Sequence, residues 1–342
     1  MRTPNKNLLL LLFLVAGQAA RGMVKHGLIL CLHRVAPTSV HPFRPTAELS
    51  ITPEFLDRLL GYLRRRKIAV MSLTEAFERT QAGDRSPFVS FTFDDGYRDN
   101  FEAAFPIFIR HRAPFAIFLT TGFLDRTRPM WWAALESTIV DSDSIELPDG
   151  LLVPTRTIRE KYQAYAAGNN WFRQATPSAT IRAVQRLHDR YPQAIGRFEA
   201  ASAALSWDMV RHMAGSGLVT FGCHTVSHPT LSRLDTETIT EEIVYSRDRM
   251  TDELGTRPRF FAYPYGNTAD IGGRAAKLVA EYGFDNAFTT NGGPIGDDHF
   301  MVPRLTWNGH HQWLSIFDAH SSGLSNVLGN VIVSCKRLCG GG

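Results

Sequence analysis

The chain has 342 residues, of which 44% are hydrophobic and 20% are charged, and its formal net charge is +4. This length and apolar share suffice for one large domain or two small ones with a full core. No stripe of Lys and Arg with interleaved aromatics accompanies the positive charge, which excludes an extended nucleic-acid-binding surface. The short basic run Arg64–Lys67 is interpreted as a solvated helix end.

The four cysteines do not form the pattern of a disulfide framework. Cys31 and Cys223 lie inside apolar stretches, which predicts buried thiols. Cys335 and Cys339 lie in a glycine-ended tail, where they could pair or have no role.

Residues 1–26 are interpreted as an N-terminal helix or as a signal or anchor segment. The apolar run Leu8–Ala16 follows two basic residues and is too short to span a bilayer. The small residues Gly17–Ala20 could serve a signal peptidase. An uncleaved helix or anchor is slightly favoured over export, so a cytoplasmic or membrane-associated location is favoured over a periplasmic or secreted one. Membrane association would use this segment alone.

From residue 27 onward, continuous apolar runs alternate with amphipathic stretches, which predicts strands and helices in turn. The predicted strands are Gly27–Leu32, Ile68–Met71, Phe88–Phe93, Pro114–Thr120, Leu218–Phe221, Phe260–Tyr263, Asn286–Thr289 and Met301–Leu305. The first predicted helix follows Thr52, and a second, capped by Ser72 or Thr74, runs through Thr80. Further helices are predicted at Asn100–Arg110, Ser206–Ser216, Leu231–Leu254 and Ala269–Tyr282. Pro106 is expected to kink or split its helix. The alternation implies a parallel sheet with crossover helices, as in a single (β/α) barrel.

Residues 124–204 interrupt this alternation and are interpreted as a helical insertion. The barrel domain would then cover 27–320 and be followed by a tail at 321–342. Trp131 and Trp132 in the insertion could form a lid or stack on a sugar, but anchoring of the insertion to the barrel is favoured.

The chain is organised around Asp94 and Asp95, which directly follow the buried strand Phe88–Phe93. A turn at Gly96 can bring both carboxylates to one cleft. Two like charges so close repel, so we expect one to be neutral or the pair to share a cation. The alternative is an Asp-Gly turn between strands.

Two histidines follow another predicted strand at a spacing of four residues. One helical turn or a tight loop would place His224 and His228 on the same side, as a divalent cation requires. Two imidazoles and one carboxylate are the ligand set of an open hydrolytic metal site. Parallel strands bring their carboxyl ends to one face of a barrel, so the histidines and the aspartates are expected to meet there.

These motifs resemble those of the polysaccharide deacetylase family, that is, carbohydrate esterase family 4 with the nodulation-type chitooligosaccharide deacetylases. Thr92–Gly96 resembles the first family motif, His224–His228 the second, and Pro264–Gly266 is similar to the end of the third. The resemblance implies an α/β fold, a distorted (β/α)7 barrel, with a divalent cation. Zn²⁺ is expected, with Co²⁺ or Ni²⁺ as alternatives.

The resemblance also implies roles for individual residues. Asp95, His224 and His228 would be the metal ligands, and Asp94 would be the general base for the attacking water. The backbone N–H of Tyr265 would stabilise the oxyanion.

The sequence departs from the family pattern at two places. The arginine that holds the base is replaced by Ala262, and Arg304 is the candidate substitute, with a surface ion pair as the alternative. The late motif that supplies the general acid is absent, since His310 and His311 lack its context.

His33 is the candidate acid, because it ends the first buried strand and should face Asp94. The start Leu32–Val35 resembles a branch of the family that acts on exopolysaccharides. The alternative for His33 is a hydrogen-bonded structural residue. Asp285 loosely resembles a fourth motif and would orient a partner residue.

The favoured function is metal-dependent N-deacetylation of an oligo- or polysaccharide with N-acetylglucosamine-type units. Two alternatives remain at this point. The same barrel could hydrolyse O-acetyl esters or a cyclic amide or imide, or the chain could be a decayed carbohydrate-binding protein.

Overall fold

The computed structural model describes residues 27–322 apart from positions 85, 308, 310 and 311. The predictions made for residues 1–26, for the tail beyond residue 322 with its two cysteines, and for His310 and His311 lie outside the described residues. None of the helices in the described part of the chain has the length and apolar character needed to cross a bilayer.

The elements follow the predicted alternation. The strands are β1 Leu28–Leu32, β2 Arg34–Val35, β3 Ser50–Ile51, β4 Ala69–Val70, β5 Phe88–Phe93, β6 Phe115–Leu119, β7 Ser144–Glu146, β8 Leu152–Pro154, β9 Val219–Cys223, β10 Phe260–Ala262, β11 Asn286–Thr289, β12 Val302–Pro303 and β13 Leu305–Thr306. The α-helices are α1 Pro53–Arg65, α2 Leu73–Gln81, α3 Phe105–His111, α4 Thr121–Leu124, α5 Trp131–Val140, α6 Ile158–Phe172, α7 Pro177–Arg190, α8 Ile195–Ala201, α9 Trp207–Ala214, α10 Thr236–Leu254, α11 Thr268–Glu281 and α12 Leu314–Ser321.

The central sheet is a nearly closed parallel barrel. Its strands run in the order β12-β11-β10-β9-β6-β5-β1-β13, and β4 pairs with the start of β5. The two outermost strands, β12 and β13, are adjacent in the chain and separated only by Arg304. They are therefore two halves of one broken strand that brings the edges of the sheet together. Counted as one, they complete a distorted (β/α)7 barrel, and the predicted fold is confirmed.

Side chains of the barrel strands alternate between the interior and the surrounding helices, as a period of two requires. In β1, Ile29 faces an interior apolar cluster while Leu30 faces the helix layer. Phe118, Phe260 and Phe288 fill that interior cluster. The lower part of the barrel is therefore packed core rather than a channel.

Helix boundaries follow the predicted signals. The Thr52 hydroxyl caps α1 by accepting a hydrogen bond from the Phe55 N–H, and Ser72 forms a capping box at the start of α2. The helix predicted at Asn100–Arg110 is divided into a π-helical turn, Asn100–Ala104, and α3. Pro106 takes the second position of α3, where its missing N–H needs no intrahelical partner.

The region between β6 and β9 contains helices α5 to α8 and the antiparallel pair β7–β8. Trp131 stacks on Phe172, and the Trp132 indole N–H donates a hydrogen bond to the Tyr97 hydroxyl at 2.8 Å. Both tryptophans are buried. They pack the insertion against the barrel. The boundaries 124–204 and 27–320 stay predictions.

Candidate active site

The candidate site is built from inward-facing residues at the carboxyl ends of the barrel strands. The alternation that puts Ile29 in the interior turns Cys31 and then His33 toward the same side of β1. On β9, a Cβ at Gly222 would lie 2.5 Å from the Phe118 ring, so only glycine fits there. His224 is the next inward position after Gly222.

Asp95, His224 and His228 come together although they are far apart in the chain. Asp95 Oδ1 lies 3.6 Å from His224 Nε2 and 3.4 Å from His228 Nε2. All three side chains are buried, and their ligand atoms lie within 4.8 Å of one another. The meeting of these residues at one mouth of the barrel is what the sequence predicted.

The hydrogen-bond pattern leaves Asp95 Oδ1 without a donor and His224 Nε2 with a free lone pair. His224 Nδ1 lies 2.7 Å from the Ala262 carbonyl oxygen, which can only accept, so Nδ1 carries the proton and Nε2 presents a lone pair. Asp95 Oδ1 has no hydrogen-bond partner among the described residues. A buried acceptor without a donor is costly, and a cation would satisfy both atoms at once.

The spacing also fits a metal ion. Two ligand atoms that each lie about 2.0–2.2 Å from a tetrahedral Zn²⁺ are roughly 3.3–3.6 Å apart. The two distances from Asp95 to the imidazoles, 3.4 and 3.6 Å, agree with that separation. The donor set is therefore suited to a divalent cation.

Asp94 is held by Arg304 in a bidentate ion pair. Arg304 Nη1 and Nη2 each donate to one carboxylate oxygen at 2.7 Å, and Nη1 also donates to the Thr92 hydroxyl at 3.0 Å. The Arg304 side chain is fully buried, so the alternative of a surface ion pair is wrong. Its guanidinium lies 5.2 Å from the centre of the Phe118 ring, directly above the interior cluster.

The two neighbouring carboxyl groups have opposite electrostatic environments. Burial would raise the pKa of Asp94, but the charge and hydrogen bonds of Arg304 overcome it and hold that pKa well below its usual range. Burial and the Asp94 charge raise the pKa of Asp95 well above its usual range. Burial lowers the pKa values of His224 and His228. The neighbouring carboxyl groups are therefore shifted in opposite directions, Asp94 toward the ionised form and Asp95 toward the protonated form.

His33 and Cys31 lie close to Asp94. The Cys31 thiol donates to Asp94 Oδ2 at 3.4 Å, and burial keeps the pKa of this thiol high enough for it to stay protonated. A ring nitrogen of His33 lies within 4.8 Å of both groups. Burial lowers the pKa of His33 to about 4 despite the nearby Asp94 charge. The imidazole is therefore neutral at neutral pH.

Tyr265 follows β10 and lines the same cavity. Its ring lies 4.7 Å from the His228 ring, and its backbone N–H has no acceptor among the described residues. Asp95, Thr225, His228 and Tyr265 all have positive φ, between 58° and 71°. Such conformations cost about 1–3 kcal/mol each and cluster at functional sites.

A buried carboxyl group supports the loop that carries His228. Glu242 of α10 accepts the backbone N–H groups of Val226 and Ser227 at 2.9 Å and the Ser227 hydroxyl at 2.6 Å. The sequence analysis missed this residue. Its signal was present, since Glu242 lies three residues after the buried Ile239 on the apolar face of the helix.

The insertion forms one wall of the cavity above the site, with three residues that the sequence analysis did not identify. Tyr165, Asn169 and Arg173 are spaced by four residues on and just after α6, and all line the cavity. Trp131 and Trp132 line it too, and the Trp132 ring lies 5.2 Å from the His228 ring. The two tryptophans therefore anchor the insertion and border the cavity while staying largely buried.

Asp285 does not belong to the site, and its proposed role is wrong. It precedes β11 at the amino end of the barrel and forms an exposed ion pair with Arg259. Ala262, which replaces the expected arginine, contributes only its backbone carbonyl, to His224.

The chain matches the family model described as polysaccharide deacetylase over residues 81–287. This span includes the aspartates, both histidines and Tyr265, and it leaves out His33 and Arg304. No curated protein matches the chain significantly.

Solved structures with the same fold include three bacterial deacetylases. IcaB from Ammonifex degensii is 19% identical, with a TM-score of 0.55 over 87% of this chain and 97% of that one. The Streptococcus pyogenes deacetylase PplD, solved with acetate, is 16% identical, with a TM-score of 0.56 over 84% and 94%. The de-N-acetylase from Aggregatibacter actinomycetemcomitans is 16% identical, with a TM-score of 0.55 over 86% and 99%. At these identities the likeness shows the fold.

Proposed function

The chain belongs to the polysaccharide deacetylase family, and from that membership we propose that it is a metal-dependent N-deacetylase. Its substrate would be an oligo- or polysaccharide with N-acetylglucosamine-type units, from which it would release acetate and leave a free amine. The observation that carries the proposal is the convergence of the two imidazole Nε2 atoms on Asp95 Oδ1, a buried oxygen with no donor among the described residues. A decayed site has no reason to keep this arrangement.

Asp95, His224 and His228 would hold the cation, with Zn²⁺ expected and Co²⁺ or Ni²⁺ as alternatives. Bound there, it would supply Lewis-acid chemistry that polarises the amide carbonyl and makes a nearby water more acidic.

The chain's own groups would handle the protons and the oxyanion. Asp94, kept ionised by Arg304, would accept a proton from the attacking water. The free backbone N–H of Tyr265 would donate to the developing oxyanion, an interaction worth roughly 3–4 kcal/mol in comparable sites.

His33 would donate a proton to the leaving amine. Because the imidazole is neutral in the free protein, its proton has to arrive during the reaction, and Asp94 is the nearby group that could pass it on. The acetylated substrate and the amide specificity are supported by the family alone, since the three similar structures are distant in sequence.

Acetate release from chitooligosaccharides and peptidoglycan fragments tests the proposal. Asp94→Asn should lower the rate by roughly 10²–10⁴-fold, the usual effect of losing a general base, while elemental analysis finds the metal content unchanged. Asp285→Asn, an exposed aspartate at the opposite end of the barrel, is the matched control. Full activity in Asp94→Asn would refute the role of Asp94 as general base. Acetate release from O-acetylated sugars alone would show that the substrate is an acetyl ester rather than an acetamide.

A further inference from the structure

Helix α6 of the insertion presents a row of side chains to the cavity above the candidate site. Tyr165, Asn169 and Arg173 are spaced by four residues, so they share one helix face. The cavity that they line also contains the three proposed metal ligands, and its volume is about 420 Å³. This volume is near the lower end of the range for small-molecule sites. A sugar unit bound over the metal ligands would therefore lie close to this row.

The position of the row is fixed by close packing. A Cβ at Gly168 would lie 2.6 Å from Leu135 Cδ2, so α6 would have to move away from α5 to admit a larger residue there. The Phe43 ring meets the Tyr165 ring edge to face, with a centroid distance of 6.2 Å. The wall is therefore held in place before a ligand binds, which limits the entropy cost of recognition.

The wall begins directly beside a proposed metal ligand. The Trp132 ring of α5 lies 5.2 Å from the His228 ring, and the neighbouring Trp131 stacks on Phe172 of α6 with a centroid distance of 4.9 Å. A sugar whose acetamide reaches the ligand triad would therefore be within reach of the insertion.

Two polar groups in the row have no hydrogen-bond partner among the described residues. They are the Tyr165 hydroxyl and the Asn169 side-chain amide, and both residues are half-buried with these groups not fully enclosed. Several other polar side chains of the wall already have partners, namely Thr46, Arg173, Asn267 and Thr290. Because a phenol and an amide can each donate and accept, the two free groups match the hydroxyl groups of a sugar.

The wall offers little to an anionic substituent. Arg173 is ion-paired with Asp270, and its guanidinium lies 4.1 Å from the centre of the Tyr265 ring. Glu48, another lining residue, forms no ion pair among the described residues and would repel an anion. A carboxylate placed against this wall would lose water without gaining a free cationic side chain, so an uncharged sugar unit is favoured.

We propose that Asn169 and Tyr165 determine specificity by binding hydroxyl groups of the uncharged sugar unit whose acetamide lies at the cation site. The inference rests on the proposed function and extends it to recognition by the insertion. Each residue would form a hydrogen bond that an analogue lacking the hydroxyl group leaves unmade, and a site of this kind discriminates against such an analogue.

Asn169→Ala and Tyr165→Phe test the inference in the full chain loaded with Zn²⁺, with the methyl glycoside of N-acetylglucosamine as substrate. Loss of one hydrogen bond should lower kcat/KM by roughly 2–10-fold. Asn170→Ala and Tyr162→Phe are the matched controls, at exposed positions of the same helix that do not line the cavity. If neither variant falls below its control, the inference is overturned.

Monodeoxy analogues of the glycoside show whether the lost contact is with a hydroxyl group. The analogue lacking the hydroxyl bound by Asn169 should be a poorer substrate for the parent, but the parent and Asn169→Ala should turn it over equally. A structural role alone would lower the rates for all analogues by the same factor and would contradict the inference. So would a preference of the parent for an acetylated glycoside that carries a carboxylate.

A binding measurement separates this inference from the proposed function. If no sugar yields acetate, the proposed function fails, and isothermal titration calorimetry with the same methyl glycoside tests the wall alone. Binding that weakens by roughly 2–10-fold in Asn169→Ala but not in Asn170→Ala supports the inference. Absence of binding to the parent, or equal affinities for the two variants, contradicts it.

Discussion

Arg304 holds both oxygens of Asp94 from the gap between the two halves of the closing strand. Arg304 therefore lies at the point where the barrel closes and also keeps the proposed base, Asp94, ionised. Both groups are buried, and each would be an uncompensated charge without the other.

Arg304→Met should destabilise the protein by about 3–5 kcal/mol, the usual cost of breaking a buried ion pair. Asp94→Asn/Arg304→Met should recover part of that loss, because no buried charge is left unpaired. Urea unfolding of the two variants and of Asp94→Asn measures this coupling. Additive losses in the double variant would show that the ion pair contributes no coupling energy.

Glu242→Gln should weaken metal binding by roughly 10–100-fold, as changes to groups supporting metal ligands do. The glutamine amide has nearly the size of the carboxylate, but its NH₂ group is a donor. It cannot accept all the hydrogen bonds that the carboxylate accepts from the Val226 and Ser227 N–H groups and the Ser227 hydroxyl. Competition with a zinc chelator measures the affinity. The control is Glu241→Gln, an exposed neighbour on the same helix. Equal affinities for the two variants would exclude a role of Glu242 in positioning His228.

His33 should make the metal-free protein less stable as pH falls from about 6.5 toward 4, against the opposite contribution of buried carboxyl groups such as Asp95. In this window His33 binds a proton in the unfolded chain but not in the native state. It therefore lowers the free energy of unfolding by up to about 1.4 kcal/mol for each pH unit of acidification. His33→Gln should reduce the slope of the unfolding free energy against pH. Identical slopes for the variant and the parent would mean that His33 titrates normally in the native state.

Addition of Zn²⁺ should raise the melting temperature, since binding to the native state alone stabilises it by about 2.7 kcal/mol at a hundredfold excess over Kd. At equal Zn²⁺ concentration the gain should be larger than for an ordinary surface site, because satisfying an unpartnered buried oxygen of Asp95 lowers Kd. Asp95→Asn should lose most of the shift. A shift of the same size in that variant would place the ion elsewhere.

The barrel and the candidate site residues at the ends of its strands could be predicted from the sequence. Period-two alternation in the strands fixes which side chains face inward, so His33, Asp94 and His224 were within reach of a pattern argument. Arg304 was also identifiable, because it interrupts an apolar run near the end of the barrel.

The walls of the cavity were not predictable in this way. Tyr165, Asn169 and Arg173 share one helix face by spacing, but which neighbour that face meets depends on how α6 packs on the barrel. The positive φ values of Asp95 and Tyr265 likewise arise from the turns into which tertiary contacts force them. Asp285 was misassigned because a short motif does not distinguish the two ends of a strand.

The break in the last barrel strand has a consequence for biosynthesis. Arg304 is synthesised after every other residue assigned here to binding or chemistry, so a nascent chain that stops short of it has neither a closed barrel nor a counter-charge for Asp94. Competence for the proposed chemistry would then arise only once the chain has been made past Arg304, and chains truncated before this point should lack it.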